Sequence, residues 1–434
     1  MSTSQKHDHY QDSGVEWLGE IPAHWPVERN LGVFDERNER GRPDDELLSV
    51  TINRGVIRQS EITTKKDSSN EDKSKYKVLK AGDLAYNKMR AWQGALGISP
   101  YDGIVSPAYI ILKPKNLRLS KYFHYLYRTP QFIEEANRLS YGLCDDMNSL
   151  RYEHFKGSYS PLPPDGEVDR IVAFLDEKTA QIDALIAKKE RQLQLLDEQK
   201  SIRINQAVTR GLNPDVKFKP SGIEWIGEIP EHWEVKKLRW LLRTSVKNGI
   251  SPTITENGEV PTLSIAAVRN GDVTFGENVK YTTINKSDAA SYLLKTGDIL
   301  ALRGNGSKHL VATAGIVGED VPQGCIYPDL LIRIQPTTQI ASRYLVLQLN
   351  QVMRERVELA AKTSAGIWKV SGESLSALKA LLPPPDDQRS ILEYVDDIQK
   401  KTNESQLKIL NLIVSLKTLR STLIAHAVTG KIRV

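Results

Sequence analysis

The chain has 434 residues, of which 40% are hydrophobic and 26% charged, with a formal net charge of +5 and a pI near 8.8. That length accommodates roughly two to four domains with real cores, and the mild basicity is compatible with nucleic acid without requiring it. Two cysteines, Cys144 and Cys325, exclude a disulfide-stapled scaffold and fit a reducing cytoplasm. The polar stretch from Met1 to Asp12 has no signal-peptide pattern, and no run of eighteen apolar residues marks a membrane span.

The first marked segment runs from Ser13 to Val27. It returns from Ser221 to Val235 at an offset of 208, with eleven of fifteen positions identical. A repeat of that period is domain-sized, so the chain reads as two copies of one unit. The four repeated tryptophans are Trp17, Trp25, Trp225 and Trp233. They sit where the copies agree most, so they are expected to pack in cores or close domains rather than stack on bases. His24 and His232 beside them read as hydrogen-bonded structural residues. His7 and His9 lie in a polar tail, and no metal site is expected.

Short β-rich segments follow. In the first copy they are 47–51, 104–106 and 109–112; in the second, 262–265, 298–302 and 330–334. Helical segments such as 122–127 and 344–360 interrupt them, an α+β pattern. The run Lys80-Ala-Gly-Asp83 is matched by Lys295-Thr-Gly-Asp298, a tight turn feeding a strand.

Each copy then has a polar loop after that strand, Asn87 to Gly94 in one and Arg303 to His309 in the other. A second loop precedes each proline-rich junction, 144–151 and 362–369. Arg, Lys, Asn and Gln are the side chains that reach base edges and phosphates. The candidate DNA-binding residues are therefore Lys88, Arg90, Trp92, Gln93, Asn148 and Arg151 in the first copy. In the second they are Arg303, Asn305, Lys308, Lys362 and Lys369. The loops correspond in place and differ in sequence, as readers of different bases would.

Both copies close on a long helix. Leu162-Pro-Pro164 matches Leu382-Pro-Pro384 at an offset of 220, which also carries Ile171 onto Ile391, Leu196 onto Leu416 and 207–209 onto 427–429. A seam is expected at Ile182, Leu185, Leu193 and Leu196 in the first helix. In the second it is expected at Ile409, Leu412, Leu416, Leu419 and Leu423, spaced 3, 4, 3 and 4. Forty residues make a rod of roughly 60 Å, too long for one small domain, so the two helices should pack antiparallel. Gly211 and Gly430 end them as C-terminal caps.

Nucleotide-binding, methyltransferase, zinc-protease and nucleophile-elbow patterns are absent from the sequence. No catalytic residue is expected, and the chain reads as a reader. Together, the doubled Gly-Glu-Ile-Pro-x-His-Trp motif, the Lys-x-Gly-Asp turns and the Leu-Pro-Pro junctions resemble the specificity subunit of Type I restriction-modification systems over nearly the whole chain. The resemblance implies two similar target-recognition domains, 1–165 and 213–385, separated by two long antiparallel coiled-coil helices, 166–212 and 386–434, in a pseudo-two-fold internal repeat.

It also implies a non-catalytic, cytoplasmic subunit. Each domain would read one half of a split, asymmetric site on double-stranded DNA, with the helices setting the spacing. Two methyltransferase subunits and the translocase-nuclease subunits would be its partners. S-adenosylmethionine, ATP and Mg²⁺ would bind those partners, with no cofactor in this chain. One departure from the family pattern stands out. Gln388 follows the second junction, whereas Val168 holds that place after the first. A self-sufficient nuclease and a coiled-coil scaffold without DNA affinity are the alternative classes. The first predicts cleavage by the purified chain with Mg²⁺, the second no DNA retention even with partners.

Overall fold

The computed structural model describes residues 6–40, 44–62, 73–142, 148–364 and 366–434. Its contacts divide into two units. One comprises Met1–Glu190 with Ile409–Val434, the other Arg191–Lys408.

The first unit is built on a four-stranded antiparallel sheet in the order Phe34–Glu36, Tyr109–Pro114, Leu84–Asn87, Leu96–Ile98. The helices Ser120–Leu126 and Pro130–Arg138 pack on it. Their apolar faces bury Tyr122, Phe123, Leu126, Tyr127 and Phe132 in the main core. The second unit has a six-stranded sheet in the order Lys247–Asn248, Leu331–Ile334, Ile299–Leu302, Ala314–Val317, Asp272–Val273, Val268–Arg269. It is antiparallel except for one parallel pair, Asp272–Val273 with Ala314–Val317. Mixed strands and helices in both units make the fold α+β.

The repeated sequence makes repeated structure. Tyr10–Asp12 pairs with Glu20–Pro22, as Phe218–Pro220 pairs with Glu228–Pro230. Val27 lies opposite Pro161 in one ladder and Val235 opposite Leu381 in its counterpart. Those two ladders join the 208-offset and 220-offset regions of each copy. The two Lys-x-Gly-Asp turns also coincide in detail. Gly82 and Gly297 take φ of +92° and +85°, the left-handed region that favours glycine. Asp83 and Asp298 each accept the amide N–H of the turn's lysine at 3.0 Å.

Each long helix contributes one end to each core. Val168, Ile171 and Leu175, at the start of Asp165–Arg210, pack in the first unit with Ile424, Ala427 and Val428 from the end of Pro385–Val428. In the second unit Ile391 and Val395 pack with Ile204, Ala207 and Val208. The buried Tyr122 hydroxyl donates to the Val428 carbonyl at 2.8 Å, and Tyr344 donates to the Val208 carbonyl at 2.9 Å. Both bonds satisfy helix-end carbonyls that the helix itself leaves unpaired. Gly211 and Gly430 follow with φ of +73° and +69°, the expected caps.

The helices touch within each unit. Arg420 Nε lies 2.9 Å from Asp183 Oδ1 in the first, and Asp197 stands beside the Gln406 side chain in the second. Numbers that climb on one helix fall on the other, so they run antiparallel. The seam differs in phase from the expected one. Ile409 and Leu416 are buried, and Ile182, Leu193, Leu196 and Leu423 are half-buried. Leu185, Leu412 and Leu419 are instead 38%, 41% and 47% exposed, and Ile186 and Ile413 are buried in their stead. The sequence offers two leucine-rich stripes one residue apart. The observed stripe, 409-413-416-420, encloses Ile413 and brings Arg420 to Asp183. No described helix is long and apolar enough to cross a membrane.

Candidate nucleic-acid interface

In the first unit, the strand Leu84–Asn87 ends in an Asx turn. The Asn87 side-chain oxygen accepts the Met89 amide at 3.0 Å, a local bond that stops the strand. The loop tightens into a short 3₁₀ turn, Ala91–Gln93, closed by Gly94 at φ +93°. Trp92 is half-buried, and its indole N–H donates to the Met89 carbonyl at 3.0 Å. Arg90 and Gln93 project as exposed side chains, while Lys88 is half-buried.

The second loop is brought to the first. The Leu150 amide donates to the Lys88 carbonyl at 2.8 Å. That bond sets Asn148, half-buried, and Arg151, exposed at the start of the helix Tyr152–Gly157, beside the Lys88 loop. Residues 144–147 of that loop, including Cys144, lie outside the described residues. A residue not singled out in the sequence joins them. Tyr141 bridges to Ser149 and is 67% exposed. An exposed ring beside arginines is the kind of surface on which bases stack. Only its place next to a polar loop could have marked it.

In the second unit, the two loops become one small sheet. Gly304–Asn305 pairs with Ile367–Lys369, which pairs with Lys362–Ser364. Gly304, Lys369 and Lys362 lie opposite one another and share a face. Asn305, Trp368 and Thr363 share the other. The Asn305 side-chain oxygen accepts the Ser307 amide at 2.9 Å, and Lys308 Nζ sits 4.9 Å from the Trp368 ring centroid. Arg303 lies 3.8 Å from the Asp329 carboxylate. All five chosen residues of this unit thus meet on or beside one ribbon.

Two observations set this ribbon apart from a passive hairpin. Lys362 and Lys369 are exposed and directly opposed, a like-charge pairing that costs stability. The loop also closes on Ala312, whose φ of +55° places a non-glycine residue in the left-handed region. Its amide donates to the Leu302 carbonyl at 2.6 Å, which pins the far end of the loop to the sheet. Opposed cations and local strain are features that functional surfaces retain.

The repeated tryptophans behave as structure. Trp25 and Trp233 are fully buried, and their indoles donate to Glu167 and Asp387 at 2.8 Å. His24 and His232 reach the same carboxylates at 2.7 and 2.9 Å. Burial alone would raise the Glu167 carboxyl, but the Trp25 and His24 hydrogen bonds outweigh it and hold it below the usual range. Trp17 packs edge-on against Phe132, and Trp225 lies under the Arg356 guanidinium at 4.1 Å. Gln388 is consumed by its own chain. It donates to the Gln339 and Pro383 carbonyls and accepts the Ala341 amide. Val168 fills the matching place in the first unit as a buried core residue.

The two units are duplicates, each packed on an end of both long helices and each carrying two joined polar loops. Residues 230–414 match the family described as Type I restriction modification DNA specificity domain. The chain is 28% identical over 329 residues to the Type I restriction enzyme EcoKI specificity subunit of Escherichia coli K12, covering 73% of this chain and 68% of that one. It is 24% identical over 449 residues to the putative type I restriction enzyme MjaX specificity subunit of Methanocaldococcus jannaschii, covering 96% of each. The HsdS subunit of Thermoanaerobacter tengcongensis shares the fold at a TM-score of 0.53 and 16% identity, covering 95% of this chain and 98% of that one. A chain from a study of complex assembly and conformational transition of the type I R-M system shares it at a TM-score of 0.68 and 15% identity, covering 94% and 98%. Over most of its length this chain is thus similar to Type I restriction-modification specificity subunits.

Proposed function

We propose that this chain is the DNA-reading subunit of a Type I restriction-modification complex, each unit reading one half of a bipartite, asymmetric site. The observation that carries the reading is the ribbon of the second unit, where Lys362 and Lys369 oppose each other beside Arg303, Asn305 and Lys308. Phosphates would offset the lysine repulsion, and the Arg and Asn side chains would reach base edges. Lys88, Arg90, Trp92, Gln93, Asn148 and Arg151, with Tyr141, would serve the first unit.

The long helices would dock two methyltransferase subunits and set the half-site spacing. An uncovered apolar stripe supports docking. Leu410 and Val414, four residues apart, are 49% and 63% exposed. The translocase-nuclease subunits would join for cleavage. S-adenosylmethionine, ATP and Mg²⁺ would act on those partners, in the cytoplasm, and the chain alone would transfer no methyl group and cut no DNA.

The test is an exchange. Residues 221–382 are replaced by the same region of a relative that reads another site, and methylated positions are mapped with cognate partners present. One half-site should change while the other half and the spacer persist. A change in both halves, or in neither, would defeat the assignment.

A further inference from the structure

A second group of chemistry-bearing side chains lies away from the loops. His7, His24 and Glu167 each offer one ligand atom, and these atoms all fall within 4.8 Å of one another. We propose that they form a site for a divalent transition-metal ion, zinc in the first instance, which ties the N-terminal segment to the first turn of the helix Asp165–Arg210.

The donor set fits. Two imidazoles and one carboxylate suit zinc and its neighbours, whereas calcium and magnesium favour oxygen alone. The carboxylate is already oriented. Trp25 Nε1–H holds Glu167 Oε2 at 2.8 Å, which leaves Oε1 turned to His24 Nε2 at 2.7 Å. An outer hydrogen bond of this kind fixes a ligand's direction in metal sites. His7 is anchored as well. Its backbone N–H donates to the Tyr10 hydroxyl, which donates to the Gly430 carbonyl at 3.0 Å. Its ring stands 5.4 Å from the His24 ring and 6.0 Å from Trp25. It is therefore packed on the domain, not carried in a loose polar tail as the sequence suggested.

The insertion asks one pair to open and others to close, the ligand atoms starting within 4.8 Å of one another. Donors at about 2.0–2.2 Å in tetrahedral array stand roughly 3.4 Å apart. The His24–Glu167 hydrogen bond would open by less than about 1 Å and be replaced by two metal bonds. The half-exposed His24 side leaves room for water as the fourth ligand.

The second unit is a built-in contrast. His232 and Trp233 there converge on one oxygen of Asp387. Asp215 stands at the position of His7, and no third ligand gathers there among the described residues. The pair of His and acid is shared scaffolding, and His7 is what the first unit adds.

The experiment uses the full chain stripped with EDTA. Zn²⁺ is titrated by calorimetry, and Co²⁺ is followed by its visible absorption as a reporter of coordination. One ion per chain is expected, with affinity reduced at least tenfold in His7→Ala and in Glu167→Gln, and retained in His9→Ala and His232→Ala. His7→Ala is the decisive variant, because its backbone anchor survives and folding is checked by its thermal unfolding without metal. No stoichiometric binding, or binding unchanged in His7→Ala, overturns the proposal.

Discussion

Removing Lys362 and Lys369 together should move folding and DNA binding in opposite directions. The two residues are exposed and opposite on adjacent antiparallel strands. In the free chain they repel, so the double alanine variant should be as stable as the parent or slightly more so. On DNA the same pair would each neutralise a phosphate. Every such contact adds about 0.9 to the slope of log affinity against log salt. The double variant should therefore lose about 1.8 from that slope. Between 50 and 200 mM salt, the parent's affinity should fall roughly 12-fold more than the variant's. The assay is equilibrium binding of the chain, together with the methyltransferase subunits proposed as its partners, to duplex DNA at four salt concentrations, with urea unfolding of the free chain alongside. An unchanged slope with weakened folding would mean that the lysines support the ribbon and do not meet phosphate.

Three further outcomes follow from the geometry. His124 accepts the Ile98 amide on Nδ1, and burial lowers its pKa to about 4. The unfolded chain then binds the proton more tightly, so stability is complete above about pH 6.5 and should fall by about 3 kcal/mol as pH drops to 4; His124→Gln should flatten that part of a urea-midpoint profile, and an unaltered profile would assign the loss elsewhere. Gly430→Ala puts a Cβ 2.4 Å from the Pro22 ring and 3.0 Å from Trp25 in a left-handed conformation, while at Gly211 the nearest contact is 3.2 Å, to Trp233. Urea unfolding should therefore show a loss of roughly 2–4 kcal/mol for Gly430→Ala and a smaller one for Gly211→Ala. Ala312→Gly should stabilise the second unit by about 1 kcal/mol through relief of its positive φ, and a destabilised variant would show that the conformation carries no strain.

What the sequence disclosed, and what it hid, divides along the distance between partners. The duplication was legible because identical residues do identical work. Trp25 and Trp233 meet acids at the same place in the first turn of each long helix, and Gly211 and Gly430 close the helices against the same indoles. The seam was legible in period but not in phase. Adjacent Leu412 and Ile413 serve two stripes equally well, and the choice falls to Arg420 and Asp183, on different helices. The ribbon was hidden because Asn305 and Trp368 pair across a long stretch of chain, where no local propensity speaks. The packing of His7 was hidden for the same reason, since its neighbours are the adjacent pair His24 and Trp25 and, far along the chain, Glu167. The chosen loop residues nonetheless converge in each unit. A loop's polar composition can be read from the sequence even when its pairing cannot, because composition is local and pairing joins distant strands.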